Sequence, residues 1–148
     1  MTVLELNKKM QAFNVWGNVR KAVKDNEEKI VDFNRWQMLR GIAPDGNNIR
    51  PRYKSFEYAD VKAERGGPDG TGSLAPFRVP DLYLTGAFQD KMYIKVWSRD
   101  YEINSKDKKA GKLETDYNPF GLIRKHEAEA RAFNTATLGM YFKRHTGL

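Results

Sequence analysis

The chain has 148 residues and no cysteine, which fits a single domain and excludes both a disulfide framework and a thiolate metal site. Its 26 Lys and Arg residues against 19 Asp and Glu give a net charge of +7, which favours polyanionic partners, although a basic surface without such a partner has the same composition. No apolar run approaches the roughly 20 residues of a membrane helix and no signal peptide is visible, so we expect a soluble protein made in the cytoplasm, without a membrane partner.

The N-terminal part, residues 1–41, is predicted to be helical. A first helix from Leu4 to about Asn26 is indicated by apolar residues at helical spacing, namely Phe13, Trp16, Val19, Ala22 and Val23. Asn26 followed by two glutamates is typical of an N-cap, so a second helix is predicted from Glu27 to Arg40, ended by Gly41. Its expected inward residues are Ile30, Phe33, Trp36 and Leu39 or Met38. One continuous helix from Leu4 to Arg40 is the alternative.

Turns and one short helix are predicted between residues 42 and 80. Asp45-Gly46 is a strong turn signal. Ser55 is placed to cap a helix whose apolar members are Phe56, Ala59, Val61 and Ala63. The segment 66–80 is rich in glycine and proline, so we expect an exposed loop without regular structure. It lacks the Lys-Ser/Thr pair of a phosphate-binding P-loop.

A β-hairpin within residues 81–107 is the best-defined predicted element. In its first strand Met92, Ile94 and Val96 face one way, and Lys91, Tyr93, Lys95 and Trp97 face the other. In its second strand Tyr101, Ile103 and Ser105 alternate with Glu102 and Asn104. The polar residues 98–100 connect the two strands.

Two helices are predicted after the hairpin. A short helix lies around Ala110 to Asp116, and the last helix runs from Glu127 to Lys143 within the C-terminal segment 124–145. The buried stripe of the last helix is predicted as Ala130, Phe133, Ala136 or Thr137, and Met140. The predicted fold is therefore α+β: a small antiparallel β-sheet with N-terminal and C-terminal helices packed on it, in one domain.

Side chains that could carry chemistry are sparse. His126 and His145 would lie about 28 Å apart at 1.5 Å per helical residue, so they cannot share a metal, and we expect both at the surface. Asp81, Asp90, Asp100 and Asp107 flank the hairpin, where acids are common in turns. No serine has an evident histidine and acid as partners. We therefore expect no enzymatic activity, no cofactor and no metal.

The densest basic cluster consists of Lys106, Lys108, Lys109 and Lys112. These lysines are candidates for contact with DNA or with an acidic partner. Along the sequence they are not interleaved with aromatic residues, as the residues of a single-strand stacking groove would be.

The order of several short motifs is more informative than any one of them. The motifs are, in chain order, Asn34-Arg35-Trp36-Gln37-Met38-Leu39-Arg40-Gly41, Asp45-Gly46, Ile49, Pro51, Tyr53-Lys54-Ser55, Tyr58-Ala59, Lys62, a Gly-rich gap, Asp81-Leu82-Tyr83-Leu84-Thr85-Gly86-Ala87-Phe88 and the hairpin. From Asn34 to Ile123 this layout resembles virion proteins of tailed bacteriophages, particularly those of Bacteroides-type hosts. It is similar to the tail-completion and neck proteins of long-tailed phages, although the segment after the hairpin departs from the commoner neck pattern.

The resemblance implies a structural virion protein of the neck, head–tail connector or tail-completion region. Such a protein would form a homo-oligomeric ring around the DNA channel, with other neck, portal or tail proteins as neighbours and non-specific DNA contact in the channel. The residues expected to dock onto a neighbour are Arg65, Gly66, Gly67, Asp69, Gly72, Leu74 and Phe77. The residues expected to shape turns are Asp45, Gly46, Thr85 and Gly86. The alternatives are a small basic nucleic-acid-binding protein and a phage nuclease with a metal at Asp81 or Asp107.

Overall fold

The centre of the fold is an antiparallel hairpin of β1 (Met92–Val96) and β2 (Tyr101–Ser105), seen in a computed structural model that describes residues 1–148. Ile94 pairs with Ile103, and both side chains are buried. The predicted alternation is confirmed on the core side, because Met92 and Ser105 are also buried. The hairpin therefore presents one face to the core.

Seven helices accompany the hairpin: α1 (Val3–Ala12), α2 (Val15–Asp25), α3 (Glu27–Leu39), α4 (Phe56–Arg65), α5 (Ala87–Asp90), α6 (Ala110–Tyr117) and α7 (Arg124–Thr146). The N-terminal and C-terminal helices flank the two-stranded sheet, so the predicted α+β fold is confirmed. α7 agrees with the wider predicted helix, 124–145, and is longer at both ends than the narrower prediction, 127–143. None of the helices has the length and apolar character that crossing a membrane requires.

Two asparagines mark breaks in the predicted N-terminal helices. Asn14 Oδ1 accepts a hydrogen bond of 2.9 Å from the Gly17 N–H and caps α2, so α1 and α2 are separate helices. The prediction of one helix from Leu4 to Asn26, and the alternative of one helix to Arg40, are therefore wrong. Asn26 lies between α2 and α3, but its side chain caps neither; its Nδ2 donates to Asn134 and Thr137 of α7, at 3.0 Å each.

The core lies between the hairpin and helices α2, α3, α6 and α7. Its ten fully buried members are Val23, Ile30, Val31, Met38, Phe88, Met92, Ile94, Ile103, Ala110 and Ala130. Three side chains predicted to face inward are substantially exposed, namely Trp16, Trp36 and Met140. An arginine lies over each indole ring, Arg99 over Trp16 and Arg40 over Trp36. Met140 lies on the exposed side of α7.

A buried polar network ties α3 to the turn before α7. Gln37 Oε1 accepts hydrogen bonds from the Ile123 N–H at 3.0 Å and from His126 Nδ1 at 2.8 Å, and Asn34 bonds Pro119 and Gly121. The prediction that His126 lies at the surface is wrong, because its side chain is packed against Phe33 and Trp36. Burial lowers the pKa of His126, although nearby Glu129 acts in the opposite direction.

Candidate functional site

A buried ion pair organises the segment between α4 and the hairpin. Lys62 Nζ of α4 lies 2.6 Å from Asp81 Oδ1, and both side chains are more than nine-tenths buried. Asp81 also accepts hydrogen bonds from Ser73 Oγ at 2.7 Å and from the Tyr83 N–H at 3.0 Å, while Lys62 Nζ donates to the Tyr83 carbonyl. Asp81, one of the carboxylates considered for a metal, is therefore a structural partner of Lys62. No group of three or more His, Asp or Glu side chains is arranged to hold a metal ion.

The segment 66–80 has no helix or strand, but it is not exposed throughout. Val79 and Pro80 are buried, and the Ser73 N–H donates to the Lys62 carbonyl at 2.9 Å. The prediction of an exposed loop is therefore wrong for its end, Val79 and Pro80, whereas Leu74 and Phe77 are exposed as predicted.

The residues predicted to dock onto a neighbour fall into two groups. Arg65, Asp69, Leu74 and Phe77 are exposed, whereas Gly66, Gly67 and Gly72 are partly covered and form the backbone turns after α4, where the Gly72 N–H donates to the Gly66 carbonyl at 2.9 Å. The Phe77 ring lies 6.4 Å from the Phe56 ring, and the Arg78 guanidinium lies 4.3 Å from the Phe56 centroid. We call Phe56, Phe77 and Arg78 the Phe56 patch, because the two phenylalanines are at least half exposed and form one apolar surface.

The predicted turn residues lie in turns at two separate places. Asp45 Oδ1 accepts from the Asn47 N–H at 3.0 Å around Gly46, and Thr85 Oγ1 accepts from the Ala87 N–H at 3.3 Å. Gly86 precedes α5 with a φ of +87°, in the left-handed region that a side chain disfavours. A Cβ at Gly86 would lie 2.9 Å from the Tyr83 hydroxyl, so the position also has no room for one.

The predicted lysine cluster is divided by the fold. Lys106 lies with residues of α2 and β1, Lys108 and Lys109 line a pocket of tyrosines described below, and Lys112 is exposed on α6. The four lysines are therefore divided among three surfaces.

A groove between α2 and β1 collects basic residues that are far apart in the sequence. It has a volume of about 550 Å³ and is lined by Arg20, Lys21, Lys24, Tyr93, Ile94, Lys95, Val96 and Lys106, which we call the basic groove. Five of these eight residues are cationic and none is acidic. Lys24 is paired with Glu27 at 2.6 Å, and the other four cations form no salt bridge. The groove therefore keeps an uncompensated positive charge.

Aromatic rings accompany the cations of the basic groove. Lys106 Nζ lies 5.4 Å from the Tyr93 centroid, and Lys95 Nζ lies 4.2 Å from the Trp97 centroid. Lys21 Nζ lies 4.6 Å from the Tyr141 centroid. The predicted cluster of Lys106, Lys108, Lys109 and Lys112 has no interleaved aromatic residues along the sequence, but in the structure Tyr93 of β1 lies beside Lys106. Such a surface can attract phosphates and offer rings for stacking.

A carboxylate outside the groove lining, Glu27, ties β1 to the start of α3. Glu27 Oε2 accepts a hydrogen bond of 2.8 Å from the Ile94 N–H, and Lys24 Nζ donates to the Ile94 carbonyl at 3.1 Å. Partial burial alone would raise the pKa of Glu27, but the bonds from Lys24 and Ile94 outweigh burial and lower it. Glu27 is thus ionised at neutral pH, and it accepts the hydrogen bond of the Ile94 N–H at the outer edge of β1.

No protein-family model, curated protein or solved structure matches the chain.

Proposed function

We propose that this chain is a structural virion protein of a tailed bacteriophage, which forms a ring in the neck, head–tail connector or tail-completion region around the DNA channel. The motif order from Asn34 to Ile123 supports the choice of family. Two of its motif residues, Lys62 and Asp81, form the buried ion pair, which is consistent with a structural role for those positions.

The basic groove is the observation that carries the proposal. Its four unpaired cations can neutralise phosphates without reading bases, which suits a protein that surrounds DNA of any sequence. Lining a channel with these residues would place weak, salt-sensitive contacts against the passing duplex.

Exposed apolar surfaces on other elements support ring formation. A ring requires two different patches on each copy, since the interface is heterologous. α1 exposes Val3, Leu4 and Met10 and has no buried residue, and the Phe56 patch lies on α4 and the following segment. These two surfaces lie outside the basic groove, so subunit contact and DNA contact do not compete for the same residues.

The oligomer test is the mass of the purified protein by light scattering at low and high salt, with and without duplex DNA, followed by electron microscopy of any large species. We expect an oligomer that persists in high salt and has a central opening. A chain that stays monomeric under all these conditions, yet binds duplex DNA at low salt and releases it at high salt, would favour the second candidate, a small basic nucleic-acid-binding protein. That candidate is supported by the aromatic rings beside the groove lysines.

The DNA test uses the triple variant Lys21→Gln, Lys95→Gln and Lys106→Gln. Because each neutralised phosphate contributes about 0.9 to the slope of log K against log salt, loss of three contacts should reduce that slope by about 2–3. The matched control replaces three exposed lysines outside the groove, Lys8, Lys54 and Lys143, with glutamine. Equal slopes for the two triple variants would contradict DNA contact through the groove.

A further inference from the structure

A second concave site lies between α4, the segment before α5 and the start of α6. It has a volume of about 310 Å³ and shares no lining residue with the basic groove. Its aromatic walls are Tyr53, Tyr58, Tyr83 and Tyr117, and we call the site the tyrosine pocket. Burial raises the pKa of both Tyr53 and Tyr117, so their hydroxyls remain neutral at physiological pH.

One lining residue carries a polar atom that the protein leaves without a partner. Gln89 is 5 % exposed, and its Nε2 donates to the Leu82 carbonyl at 3.0 Å, which orients the amide. Gln89 Oε1 is the one buried side-chain nitrogen or oxygen that has no hydrogen-bond partner. An unpaired acceptor of this kind costs about 1–3 kcal/mol, so a site that keeps one is a candidate for receiving a donor from a ligand.

The backbone beside Gln89 is held in an unfavourable conformation. Leu82 has a φ of +55°, which is costly for a residue with a side chain. The flanking residues Asp81 and Tyr83 are fixed by the buried Lys62 ammonium, and this arrangement aims the Leu82 carbonyl at Gln89. The ion pair therefore preorganises one wall of the pocket.

The charge at the pocket is positive. Lys108 and Lys109 are exposed lining residues and form no salt bridge, whereas Asp107 is engaged by Lys91 at 3.6 Å and by the Lys109 N–H at 2.9 Å. A carboxylate on a ligand would find two free ammonium groups there.

We propose that the tyrosine pocket binds an acidic segment of a partner protein. Gln89 Oε1 exposes less than 1 Å² of surface, so binding requires the side chains around it to shift; a backbone N–H of the segment then donates to Gln89 Oε1. An Asp or Glu side chain pairs with Lys108 or Lys109, and a neighbouring apolar side chain packs on the tyrosine rings. This inference deepens the proposed function, because the identification of the partner as another virion protein rests on the proposed function. The binding chemistry of the tyrosine pocket does not depend on the basic groove.

A nucleotide is the competing occupant, since tyrosines and lysines also suit a base and a phosphate. Two observations favour the peptide. Gln89 Nε2 is engaged with Leu82, so the amide offers one acceptor rather than the paired donor and acceptor that read a base edge. The exposed side chains of Leu84 and Tyr58 continue the apolar lining out of the pocket, which suits an extended chain.

The test uses nuclear magnetic resonance of the full chain with two blocked tripeptides, acetyl-Leu-Asp-Leu-amide and its neutral counterpart acetyl-Leu-Asn-Leu-amide, and with dAMP. A dissociation constant of about 1 mM is expected for a probe this small. The acidic peptide should shift the Gln89 side-chain amide and the residues 82–89 saturably, and bind about threefold or more tightly than the neutral one.

The variant Lys108→Gln/Lys109→Gln changes exposed residues only, so it should stay folded while binding the acidic peptide no better than the neutral one. Gln89→Met should weaken both peptides equally, because it removes the acceptor that they share. Absence of saturable shifts with the peptides, or saturable shifts at Gln89 with dAMP alone, would overturn the proposal. Neither outcome changes the salt slope of the basic groove, so failure here is distinguishable from failure of the DNA test.

Discussion

Glu27, the first residue of α3, accepts the Ile94 backbone N–H at 2.8 Å and so closes the outer edge of the β-hairpin. The free backbone groups of an edge strand can pair with another chain. Here the Glu27 carboxylate accepts from the Ile94 N–H, and the Lys24 ammonium donates to the Ile94 carbonyl. The edge of β1 is therefore unavailable for strand addition at Ile94.

Glu27→Ala should lower the free energy of unfolding by about 1–3 kcal/mol at neutral pH, because the Ile94 N–H and Lys24 lose a charged acceptor. The measurement is urea denaturation, with the exposed Glu64→Ala as a matched control expected to change it by less than about 0.5 kcal/mol.

The Glu27 effect should also depend on pH. Since the folded-state pKa is lowered, the stabilisation is present above the unfolded-state pKa near 4.5 and is lost as the pH falls through the folded-state pKa. The wild-type protein and Glu27→Ala should therefore converge in stability under acid. A difference that is constant from neutral pH to about pH 3 would contradict the ionised acceptor.

Removing one member of the Lys62–Asp81 pair should be among the most damaging single changes. Asp81→Ala leaves a buried ammonium without its partner and should cost about 3–5 kcal/mol in denaturation experiments. Lys62→Met combined with Asp81→Leu should cost much less than the sum of the single changes. The comparison variant is Asp32→Ala, which breaks an exposed pair with Arg35 and should cost less than about 1 kcal/mol. Equal costs for Asp81→Ala and Asp32→Ala would show that the buried pair is not a structural centre.

His126 should make the protein less stable in mild acid. Its pKa is lowered by burial, so its neutral form is favoured in the folded state; the stabilisation is complete above the unfolded-state pKa near 6.5 and is lost as the pH falls below it. His126→Gln should flatten the dependence of unfolding free energy on pH between about 7.5 and 5. A steep dependence retained in His126→Gln would assign it to another group.

The Phe56 patch should affect assembly more than folding. Phe56→Ser together with Phe77→Ser removes the exposed apolar surface of the patch and should leave the unfolding transition near that of the wild-type protein, while abolishing the oligomer that we expect in light scattering. Met140→Ser, on the exposed side of α7, is the control. An unchanged oligomer in the double variant would exclude this surface as the interface. Deleting residues 65–77 is a poorer test, because the deletion also removes Ser73, a partner of Asp81.

The hairpin and the alternation of its strands were predictable, because strand alternation depends only on neighbouring residues. The buried face of α3 was not, because it contains Asn34 and Gln37 beside Ile30 and Met38. The hydrophobicity pattern predicts that Trp36 faces the core. The side-chain amides of Asn34 and Gln37 lie on the buried face instead, because they hydrogen-bond the turn before α7. Gln37 also bonds His126, so the burial of His126 depends on a partner 89 residues away in the sequence.

The candidate sites were still less accessible to sequence reasoning. Lys62 and Asp81 were noted as separate motif residues, and nothing local predicts that they form a pair. The basic groove joins residues of α2 to residues of the hairpin, so a search for neighbouring charges along the chain finds Lys106 but assigns it to the wrong group. The position of Lys24 and Glu27 at the junction of α2 and α3 could have indicated their contact with β1. Helix capping by neighbouring residues was the simpler interpretation of that position.

The absence of any buried residue in α1 has an energetic consequence. This helix is anchored mainly through Phe13, whose ring lies 5.3 Å from Phe142 and 5.5 Å from His145. Its amide protons should therefore exchange with solvent by local opening at a much smaller free energy than those of β1 or α3. We therefore expect that the first twelve residues can detach without any change in the core, because none of them belongs to it.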